Sequence, residues 1–373
     1  MVNQSFIPVY QPDLSGAEGQ YLMQCIDTGW ISSSGKFIDS FESSFAEFTG
    51  ADKAITVANG TVALHLALVG LGIGPGDEVL VPTFTYIASV NAIKMCGAKP
   101  VFVEAKSDDW LLDVEDAEGR ITEKTKAIMA VHLYSGLCDM PAICAMAKRH
   151  DLLVIEDAAE AFGCRLGDKH AGLFGDVATF SFFGNKTVTT GEGGMVICRD
   201  GQLDHEIRRL KSQGVSTNID RLEMRYWHDL FAYNYRMNNP TAAIGLAQME
   251  RAENTIAKKQ ELASKYRDAF ADLPVEFQQS SEDVKSAHWL NTFLLPFEMD
   301  REQLMRQLQD NYKIQTRPTF FCAHHMPVFE DKTKSFPVSE NIAGRGISIP
   351  SYPSMSGEDI DRVIDALKAC ING

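Results

Sequence analysis

LLVIEDAAEAFG, residues 152–163, opens on four apolar residues without alternation, the pattern of a strand covered on both faces of a sheet. The run ends on two acids, Glu156 and Asp157. Open α/β sheets bind their ligands beyond the carboxyl ends of the strands. A buried carboxylate without a partner is costly, so at least one of the two is expected to meet a cation or a hydrogen-bond donor. A helix-capping pair is the plainer alternative. Glu160, one helical turn after Asp157, is expected to point toward the same place.

Working outward, similar runs recur: AITV at 54–57, EVLVP at 78–82, PVFV at 100–103, AIMAVH at 127–132, VATFSF at 177–182 and MVIC at 195–198. Between them lie the helical patterns 61–71, 86–95 and 140–150. This alternation predicts right-handed crossovers and an α/β fold with a mainly parallel sheet covered by helices. In NNPTAAIGLAQMER, Asn239 is expected to cap a helix with Pro240 in its first turn. That helix is expected to run on past Ile256 toward Phe270. Beyond it the texture changes, with HWLNTFLLPF, the helical REQLMRQLQD and a closing helix from Glu358 to Cys370. A large domain over 1–250 and a smaller α+β domain over 251–373 follow from this reading.

The chain has 373 residues, more than one compact core usually serves. Apolar residues make up 45% and charged residues 23%, and no apolar run approaches the roughly 20 residues of a membrane span. The N-terminal stretch MVNQSFIPVYQPDL lacks the pattern of a secretory signal, so a cytoplasmic location is expected. Eight cysteines without a CxxC pair suggest free thiols in a reducing compartment, and no metal site is expected. A formal charge of −15 argues against a nucleic-acid partner.

GLGIGPGD, residues 70–77, follows a helix and precedes a strand, the wrong context for a dinucleotide loop, and is read as a turn. GNKTVTTG lacks the P-loop spacing. In ANGTVALHLAL a strand gives way to a helix at Asn59-Gly60-Thr61, where free N–H groups, a glycine and a hydroxyl could cup an anion or simply cap the helix. Lys186 stands 29 residues past Asp157, after the apolar strand that contains Ser181. One ligand would suit all of these: a phosphate for Gly60, Thr61 and Ser181, a basic ring nitrogen for Asp157 and an aldehyde for Lys186. Pyridoxal phosphate carries those three handles.

EDAAEAFG, TFSFFGNKTVTTGEGGMV and YNYRMNNPTAAIGLAQME resemble the DegT/DnrJ/EryC1/StrS sugar aminotransferases. IPVYQPDLSG, GWISSSGKFID, NGTVALHLAL, VPTFTYIASVNAI, TKAIMAVHLY and RYWHDLFAYNYRM are most similar to that family's GDP-perosamine synthase branch. The resemblance implies the fold-type I architecture, with a seven-stranded sheet, and pyridoxal 5'-phosphate as cofactor. It implies that Lys186 bonds to the cofactor and moves protons, that Asp157 pairs with the ring nitrogen, and that Glu160 lies near the phenolic oxygen. It further implies that Tyr86 covers the ring, that Asn185 belongs to the cofactor site, and that Gly60, Thr61 and Ser181 hold the phosphate. Asn234 would reach the phosphate of a neighbouring subunit, making a homodimer with shared active sites.

The implied reaction moves an amino group from L-glutamate to a sugar carbonyl for lipopolysaccharide or O-antigen, on a nucleotide 4-keto-6-deoxyhexose. Alternatives are amination of an acidic sugar aldehyde to 8-amino-3,8-dideoxy-octulosonate, dehydration on the same cofactor, or a regulatory role without catalysis. Candidate substrate contacts are Trp30, Ser135, Arg236, His288, Arg317, His324 and His325. Ser135, His288, Asn291, Thr319, Phe321, Cys322 and His325 depart from the branch's usual pattern. Arg236 and Arg317 suit an anionic group, because a guanidinium forks onto phosphate or carboxylate.

Overall fold

A computed structural model describes residues 5–216, 226–330 and 334–372. Seven strands build the large sheet: β1 (Ile55–Val57), β2 (Glu78–Pro82), β3 (Lys99–Val103), β4 (Thr125–Val131), β5 (Leu153–Asp157) and, after the short pair β6 (Arg165–Leu166) and β7 (Lys169–His170), β8 (Val177–Ser181) and β9 (Gly194–Cys198). Their order is β1-β9-β8-β5-β4-β2-β3. The five strands from β8 to β3 are parallel, while β9 runs antiparallel to both β8 and β1. All seven expected strands are present. From β2 the chain goes out to β3 and returns on the other side as β4, which opens a crevice at the strand ends where Thr83 and Asp157 lie.

Helices α1 (Glu18–Thr28) and α2 (Lys36–Thr49) precede β1; α3 (Gly60–Gly70), α4 (Ile87–Met95), α5 (Val114–Gly119), α6 (Met140–Arg149) and α7 (Gly201–Leu210) accompany the sheet; α8 (Asn239–Met249) follows it. One face is packed with Leu64, Leu66, Val90, Ile93, Ile143 and Met146, so the uninterrupted apolar strands are covered. The other face meets α2 and α8 through rings, with Phe45 edge-on to Phe180 and Phe182.

Two helix expectations are corrected. Asn238, not Asn239, caps α8, its side chain accepting from Thr241 N–H, with Pro240 in the first turn. The Asn239 side chain instead accepts from Phe37 N–H and donates to the Trp30 carbonyl. The long helix is broken: α8 ends at Met249 and α9 (Ala252–Ala269) begins after Arg251, whose backbone leaves the helical region (φ −119°, ψ 6°). There the N-terminal segment takes hold, since Arg251 pairs with Asp13 and Tyr21 donates to Glu250.

Beyond α9 come β10 (Glu276–Phe277), β11 (Val284–Lys285), β12 (Asn291–Leu294), α10 (Arg301–Tyr312), β13 (Arg317–Pro318), α11 (Pro337–Arg345), β14 (Gly346–Ile349) and α12 (Gly357–Asn372). A four-stranded sheet, β10-β12-β14-β13, packs with α9, α10 and α12 around Tyr266, Phe270, Phe293 and Leu308. Ile7 joins this cluster and donates its N–H to the Lys313 carbonyl, so the start of the described chain is stitched to its C-terminal part. Arg225, which opens the RYWHDLF motif, lies outside the described residues, as do Met1–Gln4.

Candidate active site

The strand pleat separates the two acids that end β5. Glu156 is wholly buried and accepts from the N–H groups of Gly172, Phe174 and Gly175 and from His132 Nε2 at 3.1 Å. Cys138 N–H donates to His132 Nδ1, which leaves the imidazole proton on Nε2, toward the carboxylate. Burial works against its charge, but these donors prevail and hold the Glu156 pKa below its usual value. This acid is a structural anchor. Neither acid caps a helix, because 158–163 forms turns rather than a helix.

Asp157 faces the crevice. Its Oδ2 accepts from the Ser89 hydroxyl at 2.7 Å, and its Oδ1 accepts from Ala159 N–H. Burial lifts its pKa above the usual value, against the pull of Ser89 and of the nearby Lys186 charge. Glu160 reaches the same place by a turn instead of a helix. Its carboxylate accepts from Tyr134 N–H at 2.8 Å and stands 3.7 Å from Lys186 Nζ. Burial raises the Glu160 pKa to about 7, with Lys186 pulling the other way.

Lys186 is held in the turn after β8: its N–H donates to the Phe183 carbonyl, and its own carbonyl accepts from Tyr10 OH at 2.6 Å. Only 13% of its side chain is exposed, and Nζ lies 4.0 Å from the centroid of the Trp289 ring. Burial lowers its pKa, opposed by Glu160 and Asp157. A stray surface cation would show none of this.

Gly60, Thr61 and Ser181 converge where α3 starts. Asn59 caps the helix by accepting from Val62 N–H, leaving the first N–H groups directed out of the helix end. Gly60 lies against Ser181 so closely that a Cβ on it would stand 2.9 Å from the serine Cβ. A Cβ on Gly194, which is paired with both Val57 and Ser181, would stand 2.6 Å from the Asn59 carbonyl oxygen. These glycines keep the cup open.

Aromatic rings wall the crevice. Tyr86 begins α4, exposed, with its centroid 5.6 Å from that of Phe320. Tyr134 stacks on Phe320 and on Trp289, and its hydroxyl accepts from Phe320 N–H. The Trp289 indole donates to the Asn185 carbonyl at 2.7 Å, while Asn185 Oδ1 is buried without a hydrogen-bond partner among the described residues.

The candidate substrate residues divide. Ser135 is fully buried, donating to the Glu160 carbonyl and accepting from Trp289 N–H, both at 2.8 Å. It is a positioning residue, and its hydroxyl is already used. Its φ of +66°, next to Tyr134 at +54°, is the left-handed conformation that favours glycine. His324 is likewise buried, between Thr83 and Glu340. Asn291 is tied to Ser351, Thr319 donates to the Ile342 carbonyl, and Cys322 is buried at a bridge to Phe84. His288 lines a cavity of about 390 Å³ with Arg267, Gln278 and Ser286, and burial, then the positive charges of Arg267 and Lys259, push its pKa down to about 4. Arg317, Phe321 and His325 are exposed on the 317–325 segment. Trp30 and Arg236 belong to another group: Trp30 is exposed on the loop after α1, and Arg236 donates to Ser33 of that loop.

Sequence reasoning missed Ser89, Tyr10 and the contact of Trp289 with Lys186. Ser89 had a signal, a hydroxyl one turn after Tyr86 on the same helix. Tyr10 had none, lying 176 positions from the carbonyl it binds.

A family model for DegT/DnrJ/EryC1/StrS aminotransferases matches residues 12–368. The chain belongs to the DegT/DnrJ/EryC1/StrS aminotransferase family. It is 49% identical to the GDP-perosamine synthase of Escherichia coli O157:H7, over 97% of this chain and 98% of that one. To the GDP-perosamine synthase of Vibrio cholerae it is 48% identical, over 98% and 99%. Among solved structures, the PLP form of the putative sugar aminotransferase Spr1654 from Streptococcus pneumoniae superposes with a TM-score of 0.92, at 25% identity and 99% coverage of both chains. As a member of this aminotransferase family the chain is a pyridoxal-phosphate-dependent enzyme, which accords with a lysine buried among acids beside an open anion cup.

Proposed function

We propose that this enzyme transfers the amino group of L-glutamate to the carbonyl of a nucleotide-linked 4-keto-6-deoxyhexose, as a GDP-perosamine synthase does. The observation that carries the reading is the near-half identity to two GDP-perosamine synthases over almost the whole chain, together with a buried lysine beside Glu160 at the crevice. The product would serve lipopolysaccharide or O-antigen, made in the cytoplasm. The division into units 1–250 and 251–373 belongs to the same reading.

The residues fit pyridoxal phosphate. A Cβ on Gly60 would press on Ser181 and one on Gly194 on the Asn59 carbonyl, and the buried Asn185 Oδ1 is without a hydrogen-bond partner among the described residues. Gly60, Thr61 and Ser181 would hold the phosphate, Asp157 the protonated ring nitrogen, Glu160 and Asn185 the polar rim, and Tyr86 the open face of the ring. When bound, the cofactor supplies an electron sink for breaking and making bonds at the amine-bearing carbon. Ser89 fixes the orientation of Asp157, so its charge is aimed before any ligand arrives. Lys186 Nζ, with its pKa lowered by burial, takes up and returns a proton at the amine-bearing carbon. Trp289 and Tyr134 shield that amine from water, and Glu160, 3.7 Å away, balances its charge.

Asn234 is exposed, as are the large apolar side chains Tyr226, Trp227 and Phe231 on the same stretch of chain, which suits a contact with a second copy of the chain. In this reading a homodimer buries it, and Asn234 reaches the partner's phosphate.

The test is incubation with glutamate and GDP-4-keto-6-deoxymannose, with products read by mass spectrometry. A sugar nucleotide that gains nitrogen while 2-oxoglutarate appears is the expected result; an unaltered sugar, or one that has lost water without gaining nitrogen, overturns the reading.

A further inference from the structure

Beyond the residues gathered around Lys186, three potential metal ligands meet on the 317–325 segment and α11. His324 Nε2 lies 3.2 Å from Glu340 Oε1, and His325 Nε2 lies 3.8 Å from the same oxygen. The three ligand atoms all lie within 4.8 Å of one another. Four-coordinate zinc with bonds of about 2.0–2.1 Å holds neighbouring ligand atoms about 3.3–3.4 Å apart, a number that follows from tetrahedral geometry. His325 is exposed and Glu340 half-exposed, so neither side chain is confined by burial.

We propose that His324, His325 and Glu340 form a binding site for a zinc-class divalent cation, with a fourth position open to solvent. The ligands are pre-aimed. His324 Nδ1 lies 2.7 Å from the Thr83 hydroxyl, which can accept the ring proton at Nδ1 when a metal displaces it from Nε2. Phe336 packs on the His324 ring at 4.8 Å, and its N–H donates to Glu340 Oε1 at 2.9 Å. The two imidazole centroids are only 4.1 Å apart, which brings both rings to one place beside Glu340. Two imidazoles and one carboxylate without thiolate suit zinc, cobalt or nickel rather than calcium or magnesium. Bound there, the ion ties the segment bearing Arg317 and Phe320 to α11. The sequence concealed the site because His324 and His325 are adjacent while Glu340 follows fifteen residues later, a spacing outside the usual zinc patterns.

Cobalt is the probe, because eight free thiols could also bind zinc and cobalt distinguishes them. The full chain, freed of metal with a chelator and then of the chelator, is titrated with CoCl2 while its visible and near-ultraviolet spectra are recorded. The expected result is one equivalent per chain, with visible bands stronger than those of aqueous cobalt and no intense thiolate charge-transfer band. His325→Ala, at an exposed position, and Glu340→Gln should each weaken that equivalent by about tenfold or more. Absence of a one-to-one complex, a thiolate spectrum, or unchanged affinity in His325→Ala overturns the site.

Discussion

The carboxylate of Glu160 stands 3.7 Å from the ammonium of Lys186, and both are largely shielded from water. Burial holds the Glu160 pKa at about 7, above the usual carboxylate range. Between that range and about 7 the folded chain keeps a proton that the unfolded chain has released, so folding stability falls as pH rises through this window. In cofactor-free protein, Glu160→Gln should flatten this fall, seen as a smaller difference in Tm between about pH 5 and about pH 8. A variant that keeps the full pH slope would assign it to other groups.

Lys186→Ala tests the other member of the pair. Transamination should fall by about a thousandfold or more, since the residue is asked both to bond and to move the proton. The visible absorption of the lysine-bound cofactor should be lost as well. Near-normal turnover in this variant would remove Lys186 from the chemistry.

Much of this site is legible in residue order, for a physical reason. Strands buried on both faces have to be apolar, so the seven runs stand out, and the acid and lysine that interrupt such runs are conspicuous. The candidate site residues Asp157, Lys186, Gly60 and Ser181 stood out because each sits at or just after a strand or helix end. What escaped depends on distant partners. The break at Arg251 is stabilised by Asp13 and Ser15 of the N-terminal segment, and no local pattern in QMERAENT announces it. Ser135 looked like a substrate contact because it replaced a glycine, yet its hydroxyl closes a gap between two backbones.

Ser135 therefore makes an ordered prediction. Ser135→Ala keeps a Cβ at φ +66° and leaves the Trp289 N–H without its acceptor, so it should lose about 2–3 kcal/mol. Ser135→Gly leaves the same N–H unpaired but relieves the backbone by about 1 kcal/mol, and should be the milder change. Urea unfolding of the two variants checks the order. An alanine variant as stable as the glycine one would refute the strain argument.

Glu156 gathers three backbone N–H groups and His132 at one fully buried carboxylate. Glu156→Ala strands all four donors and should cost about 3–5 kcal/mol. Glu156→Gln should also destabilise, because its amide NH2 has to face N–H donors where an oxygen stood. Chemical unfolding measures both, and a neutral Gln variant would show that the carboxylate charge is dispensable there.

Lys259 offers the opposite case, a buried amine with no acid beside it among the described residues. Its Nζ donates to the Ser351 carbonyl at 2.7 Å and lies 5.2 Å from the Tyr10 ring centroid, and burial pulls its pKa down to about 7. From about pH 7 up to the usual lysine range the unfolded chain holds a proton that the folded chain has shed. Stability therefore rises with pH across that window. Lys259→Met keeps the length of the side chain and removes the titrating group, so the rise should vanish even though the Ser351 carbonyl loses its donor. Unfolding free energies measured from about pH 7 to about pH 10 decide the matter. If the methionine variant gains stability with pH as steeply as the parent, Lys259 is not the group responsible.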